Sequence, residues 1–224
     1  MKKSVLFLMS LFLIGMAFTL KSQNMTQEEK NSYALGANVG ESFKSSGINV
    51  NFETFKEGFL DALKGENKFS MEEMQACFED IQKTISEKQN QGIEIEKEKG
   101  KQFLAENKQR EGVQETESGL QYEVIVMGDG PKPEATDKVK VHYTGKTLDG
   151  QVFDSSVERG EPIEFALNQV IKGWTEGLQL MPTGSKFMFY IPSDLGYGDR
   201  GAAGGMIKPG ATLVFEVELL DIPK

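Results

Sequence analysis

Val139-Lys140-Val141-His142-Tyr143 places an apolar residue at every second position, and this alternation decides the fold of the second half of the chain. A period of two sends successive side chains to opposite faces of a strand. The same period returns at Leu120, Tyr122, Val124 and Val126, at Phe187, Phe189 and Ile191, and at Leu213, Phe215, Val217 and Leu219. Between these runs, Asp149-Gly150 signals a tight turn, while Gly128-Asp129-Gly130-Pro131 and Pro182-Thr183-Gly184 mark loops. Only the segment around Trp174 and Leu178 leaves room for a helix, and a short one. The expectation is an α+β domain: a bent antiparallel sheet wrapped on one helix, with a pocket between them.

The chemical inventory of this half is narrow. His142 is the only histidine of the chain and alternates with Val141 and Tyr143, so it faces the other side of its strand and forms no Ser/His/Asp arrangement. The only cysteine, Cys77, lies outside this half. Gly201 to Gly205 lead into Met206, Ile207 and Pro209 rather than into a helix, so they read as a mobile loop and not as a phosphate cradle. What remains is aromatic and aliphatic, with Asp154 and a few hydroxyls. That inventory suits a reaction that breaks no covalent bond.

Five strings in this order and spacing carry a resemblance: Val141-His142-Tyr143-Thr144-Gly145, Phe153-Asp154-Ser155-Ser156, Val170-Ile171-Lys172-Gly173-Trp174, Leu195-Gly196-Tyr197-Gly198 and Ala211-Thr212-Leu213-Val214-Phe215. Together they resemble the FKBP-type peptidyl-prolyl cis-trans isomerase domain over residues 116–224. The resemblance implies rotation about Xaa-Pro amides, whose barrier of about 20 kcal/mol comes from amide resonance. A dry pocket favours the twisted amide because that form is less charge-separated than the planar one. It also implies that Trp174 forms the pocket floor, that Tyr143, Phe153, Val170, Ile171 and Phe215 line its walls, and that Ile207 closes it from the long loop. The Ile171 N–H and the Tyr197 hydroxyl would hold substrate carbonyls, and Asp154 would orient polar groups at the rim. No cofactor or metal is implied. Plainer readings stay open at this point: Val141, Val170, Phe215 and Trp174 as ordinary core, and Asp154 as a cap on the turn through Ser155 and Ser156.

The chain departs from the family pattern at Ile163, where an aromatic residue usually stands beside the pocket, and at Asn168, where glycine is common. Lys208 takes a place where proline is frequent. A contribution of Ile163 to substrate binding is expected, with an altered preference before proline and weaker grip on macrolide inhibitors.

Upstream, the period changes to that of a helix. Thr26 and Glu29 have capping-box spacing, and Tyr33, Leu35, Val39 and Phe43 follow to about Ser45. Phe52, Phe55, Phe59 and Leu63 form one stripe of a second helix stopped near Gly65, and Ser70 with Glu73 opens a third carrying Met74, Phe78, Ile81 and Ile85. Past Ile85 charge dominates, and Gly92 and Gly100 each oppose a helix by about 1 kcal/mol. Two readings are open there, a solvated linker helix or a flexible tether; a helix over 71–108 would run about 57 Å. Residues 24–115 thus make a helical segment with a core too thin for its length, which gains burial by pairing with a second copy. The arrangement is similar to the Mip- and FkpA-like exported isomerases, implying a homodimer through the amino-terminal helices.

Lys2 and Lys3 followed by apolar Val5 to Leu20 read as a secretory signal peptide over residues 1–23. Export is the consequence, to the periplasm or the outer membrane if the host is a Gram-negative bacterium. A net charge of −9 disfavours nucleic acid as a partner. One cysteine excludes an intrachain disulfide and, with one histidine, a zinc cluster; Cys77 itself reads as a small buried apolar residue. The partners expected are unfolded or proline-containing exported polypeptides. A dimeric holdase chaperone is the alternative.

Overall fold

The computed structural model describes residues 25–223; the signal peptide expected over 1–23 lies outside the described residues. Contacts divide the chain into two compact units that meet at Lys88 and Gln89. The division falls inside a helix, not at its end.

In the first unit, α1 spans Gln27–Ser45, α2 spans Phe52–Lys64, and α3 begins at Met71. Both capping boxes form: Thr26 accepts from the Glu29 N–H while Glu29 accepts from the Thr26 N–H, and Ser70 and Glu73 do the same. Gly65 ends α2 in the left-handed region at φ 74°, a conformation that costs other residues more. Phe43 meets Phe55 edge to face at 5.4 Å. Yet α1 and α2 bury no residue in the single chain, and Tyr33, Leu35, Phe52, Phe59, Leu63 and Phe78 are all exposed. Cys77 is exposed as well, contrary to the buried position expected, because the thin helical layer has no interior to receive it.

α3 continues without a break to Asn107, so the charged stretch is helical rather than a tether. Within the second unit one side of its last turns is packed. Gly100 and Asn107 are buried, Gln121 donates to the Leu104 carbonyl at 2.8 Å, and the Asn107 amide donates to Gln121 at 2.8 Å. Phe103 lies against Tyr190 with ring centroids 5.8 Å apart.

The strands are β1 Val113–Glu115, β2 Gln121–Val126, β3 Lys138–Thr147, β4 Val152–Ser155, β5 Ile163–Ala166, β6 Lys186–Ile191 and β7 Leu213–Asp221. They form an antiparallel sheet in the order β1-β2-β6-β7-β3-β4, with β5 on the other half of β3. β3 therefore pairs with β5 through its first residues and with β4 through its last. Its alternation is realised: Val139, Val141 and Tyr143 are buried while His142 is partly exposed on the other face. The Asp149-Gly150 signal closes the β3–β4 hairpin, where the Thr147 N–H donates to the Gln151 carbonyl at 3.0 Å.

A four-residue helix, α4 (Ser156–Arg159), follows β4, and α5 (Lys172–Leu178) crosses the sheet and buries Trp174 and Leu178. Two glycines let α5 approach. A Cβ on Gly173 would stand 2.6 Å from Ile191, and one on Gly177 would stand 2.7 Å from the Phe189 ring. The core between α5 and the sheet contains Val139, Leu167, Leu178, Phe187, Phe189 and Val217.

Candidate active site

The site is built where α5 meets the sheet. A 3-10 turn over Leu167–Gln169 leads through Val170 to Ile171, the extended N-cap residue of α5. The Thr175 hydroxyl donates to the Leu167 carbonyl at 2.6 Å and ties turn to helix. Trp174 is thereby set one helical step inside, 4% exposed, with Tyr143, Phe215 and Phe165 around its ring at centroid distances of 5.0, 5.1 and 5.2 Å. Phe153 packs edge to face on Phe215 at 5.4 Å. These two rings close over Gly145, where a Cβ would lie 2.6 Å from each.

Above this floor is a cavity of about 690 Å³, a size suited to a ligand. Tyr143, Phe153, Asp154, Ile163, Val170, Ile171, Trp174, Tyr197, Ile207 and Phe215 all border it, so the structure brings together every site residue expected from the sequence. Ile207 is 2% exposed and Met206 42%, which assigns the inward position of the long loop to Ile207. Val141 does not border the cavity and belongs to the core. The indole Nε1 of Trp174 is buried with no hydrogen-bond partner among the described residues, unusual for a residue that only fills a core.

Asp154 sits at the rim and accepts from the Tyr143 hydroxyl and from Arg159 Nη1. Burial pushes its carboxyl up, but these two hydrogen bonds and the Arg159 charge outweigh that and hold it below the usual carboxylate range, with a small addition from the Ser155 N–H. The Tyr143 hydroxyl is raised by burial and by its bond to Asp154. Burial, and then the Asp154 charge, raise Tyr197. The capping role considered for Asp154 falls to Ser155, whose hydroxyl accepts from the Glu158 N–H at 3.2 Å. Each carboxylate oxygen is thus engaged, and a carboxyl held below its usual range is a weak proton acceptor.

Sequence reasoning missed Phe165, Gln169, Ala202 and Ala203 on the cavity wall and Arg159 at its rim. Phe165 was within reach, since it stands two residues from Ile163 on the same strand and shares its face. Arg159 gave no signal, because its pairing depends on the turn of α4.

An aromatic-floored cavity between one helix and a bent antiparallel sheet, its carboxylate engaged by Tyr143 and Arg159, is the arrangement of an FKBP-like domain. The family model described as FKBP-type peptidyl-prolyl cis-trans isomerase matches residues 130–220, and that described as the domain amino terminal to it matches residues 28–124. The chain belongs to the FKBP-type peptidyl-prolyl cis-trans isomerases and is an enzyme of that class. It is 47% identical over 215 residues to the FKBP-type isomerase FkpA of Aeromonas hydrophila, covering 91% of this chain and 80% of that protein. It is 41% identical to the outer membrane protein MIP of Legionella longbeachae, covering 94% and 92%. The crystal structure of FkpA from Escherichia coli superposes with a TM-score of 0.72 at 35% identity, over 88% of this chain and 97% of that one.

Proposed function

We propose that the cavity floored by Trp174 is where this enzyme accelerates Xaa-Pro rotation, non-covalently, during the folding of exported polypeptides. The observation that carries this reading is the ring of Tyr143, Phe165 and Phe215 around a buried Trp174, beside a carboxylate already occupied by Arg159. An apolar cage cannot replace the hydration of the charge-separated planar amide, so it favours the twisted form by difference. Ile171 gives its carbonyl to the Trp174 and Thr175 N–H groups as α5 begins, and its own N–H is the donor proposed for one substrate carbonyl. The Tyr197 hydroxyl is proposed for another, with Val170, Phe153 and Ile207 shaping the proline subsite. Ile163, 37% exposed at the mouth, gives the residue before proline an aliphatic neighbour and offers macrolides less aromatic contact.

The test is prolyl cis/trans exchange in short peptides, with folded Trp174→Ala and Asp154→Ala variants. Catalysis that drops in both supports the assignment. Full activity in a folded Trp174→Ala variant would move the site elsewhere.

The amino-terminal unit supports a homodimer. A chain that leaves Tyr33, Phe52, Phe59 and Leu63 exposed has an apolar surface that a second copy covers favourably. The same exposed side chains favour a second reading, in which the helical unit holds unfolded clients and the cavity adds little to that task. Holdase activity kept by Trp174→Ala and lost on deleting residues 25–88 is its signature. Export, to the periplasm or the outer membrane if the host is Gram-negative, is supported by the basic and apolar start of the sequence. Among the described residues no helix is long and apolar enough to cross a membrane.

A further inference from the structure

We propose that residues 89–107 of α3 are a positioning element of the enzyme: they brace the loop over residues 198–210, which closes the cavity through Ile207, and so set its affinity for substrate. This rests on the reading of the cavity as the isomerase site. The loop has little to hold it from its own side. It folds on itself through an Ala202–Ile207 bridge and a 2.9 Å bond from the Gly210 N–H to the Gly198 carbonyl, and most of its residues between are exposed. Inside the loop Ile207 reaches the core, with Ala202 beside it; α3 holds the loop's two ends.

Three contacts fall along one side of that helix. Lys97 Nζ reaches Asp199 at 2.7 Å, near the start of the loop. Glu96 accepts from Lys208 at 3.3 Å, next to Ile207, and is steadied by Lys99 at 2.9 Å. The loop's last residue, Gly210, lies so close to the helix that a Cβ there would stand 2.7 Å from the Ile93 carbonyl oxygen. Two turns further on, Gly100 packs against Thr212, where a Cβ would come within 2.1 Å of Thr212 Oγ1. Both ends of the loop are thus anchored to the same helix, and Tyr197, Ala202, Ala203 and Ile207 on the loop or at its start border the cavity. Gly100 opposes helix formation, yet this approach requires it. Gly92, on the same helix, has nothing within 4 Å of its Cβ position.

These two glycines make the test. Alanine at either strengthens the helix by itself, but only Gly100→Ala drives it off Thr212. In the full chain, Gly100→Ala is expected to raise KM for a short Xaa-Pro peptide about three- to tenfold with kcat kept, because fewer molecules hold the binding-competent loop. Gly92→Ala should match wild type, and Thr212→Ala placed on Gly100→Ala should restore KM by removing the obstructing hydroxyl. Independently, Lys97→Glu should weaken KM about twofold and the swap Lys97→Glu with Asp199→Lys should regain it. Amide exchange at Ala202, Ile207 and Gly210 should quicken in Gly100→Ala and Lys97→Glu and not in Gly92→Ala. This readout needs no catalysis, so faster exchange in a chain whose wild type fails to isomerise would uphold the bracing and sink the isomerase assignment of the cavity. Unchanged exchange and unchanged KM in folded Gly100→Ala and in Lys97→Glu would overturn the proposal.

Discussion

Asp154 shows how one residue's setting selects among chemistries. A carboxylate beside a reactive pocket is an obvious candidate for a base, but Tyr143 and Arg159 use its oxygens and hold its proton affinity low. Its folded pKa is depressed, so the stability it contributes is present above the unfolded value of about 3.9 and is lost as pH falls through the lower folded value. Tyr143 and Tyr197 shift the other way and keep their protons through neutral pH. Isomerisation measured from about pH 5 to about pH 8 should therefore be flat, with a decline only in the acid range where Asp154 is neutralised. A rate that titrates near neutrality would mean that a proton is moved in the reaction. At the mouth of the cavity, Ile163→Phe should improve kcat/KM for peptides with a bulky residue before proline by a factor of a few, since an added ring there is worth roughly 1 kcal/mol. An unchanged ranking of peptides across several Xaa residues would remove Ile163 from the binding surface.

At the scale of the element, α5 is short and gains its place by proximity. Gly177→Ala adds helix propensity worth about 1 kcal/mol but sets a methyl 2.7 Å from the Phe189 ring. Overpacking wins in such a contest, so a net loss of about 1–2 kcal/mol in urea unfolding of the isomerase transition is expected. A gain in stability would show that α5 can lift from the sheet. β3 illustrates the opposite case. Its alternation was legible because one face is core and the other is not, and each residue there carries the mark of its side.

The whole molecule presents two units with different accounts of their stability. The second has a filled core around Phe187, Phe189 and Leu213, whereas α1 and α2 of the first bury nothing alone. The proposed homodimer therefore predicts that Phe59→Asp with Leu63→Asp yields a monomer by sedimentation. Peptide isomerisation in that variant should stay within about twofold of wild type, because the cavity residues lie in the other unit; on the proposed holdase reading, suppression of client aggregation should fall much further. A double variant that remains dimeric would place the interface on another surface.

Much of this was readable without coordinates. Capping boxes, the helical stripes and the switch to a period of two are local properties, and local patterns survive in a linear text, whereas Tyr143, Asp154, Trp174, Tyr197 and Phe215 were named through the family resemblance of the short strings that contain them. Other features arise only when distant segments meet. Arg159 binds Asp154 because α4 turns back toward β3; Gly100 is tolerated in a helix because Thr212 lies against it; Cys77 is exposed because its helices enclose no interior. Those outcomes depend on which surfaces face each other. The amino-acid sequence by itself determined the main elements, the family and most of the residues that border the cavity, while the tertiary structure alone decided the state of the carboxylate, the place of Arg159 beside it and the docking of the helix on the loop, since pairing, burial and close approach are properties of neighbours in space.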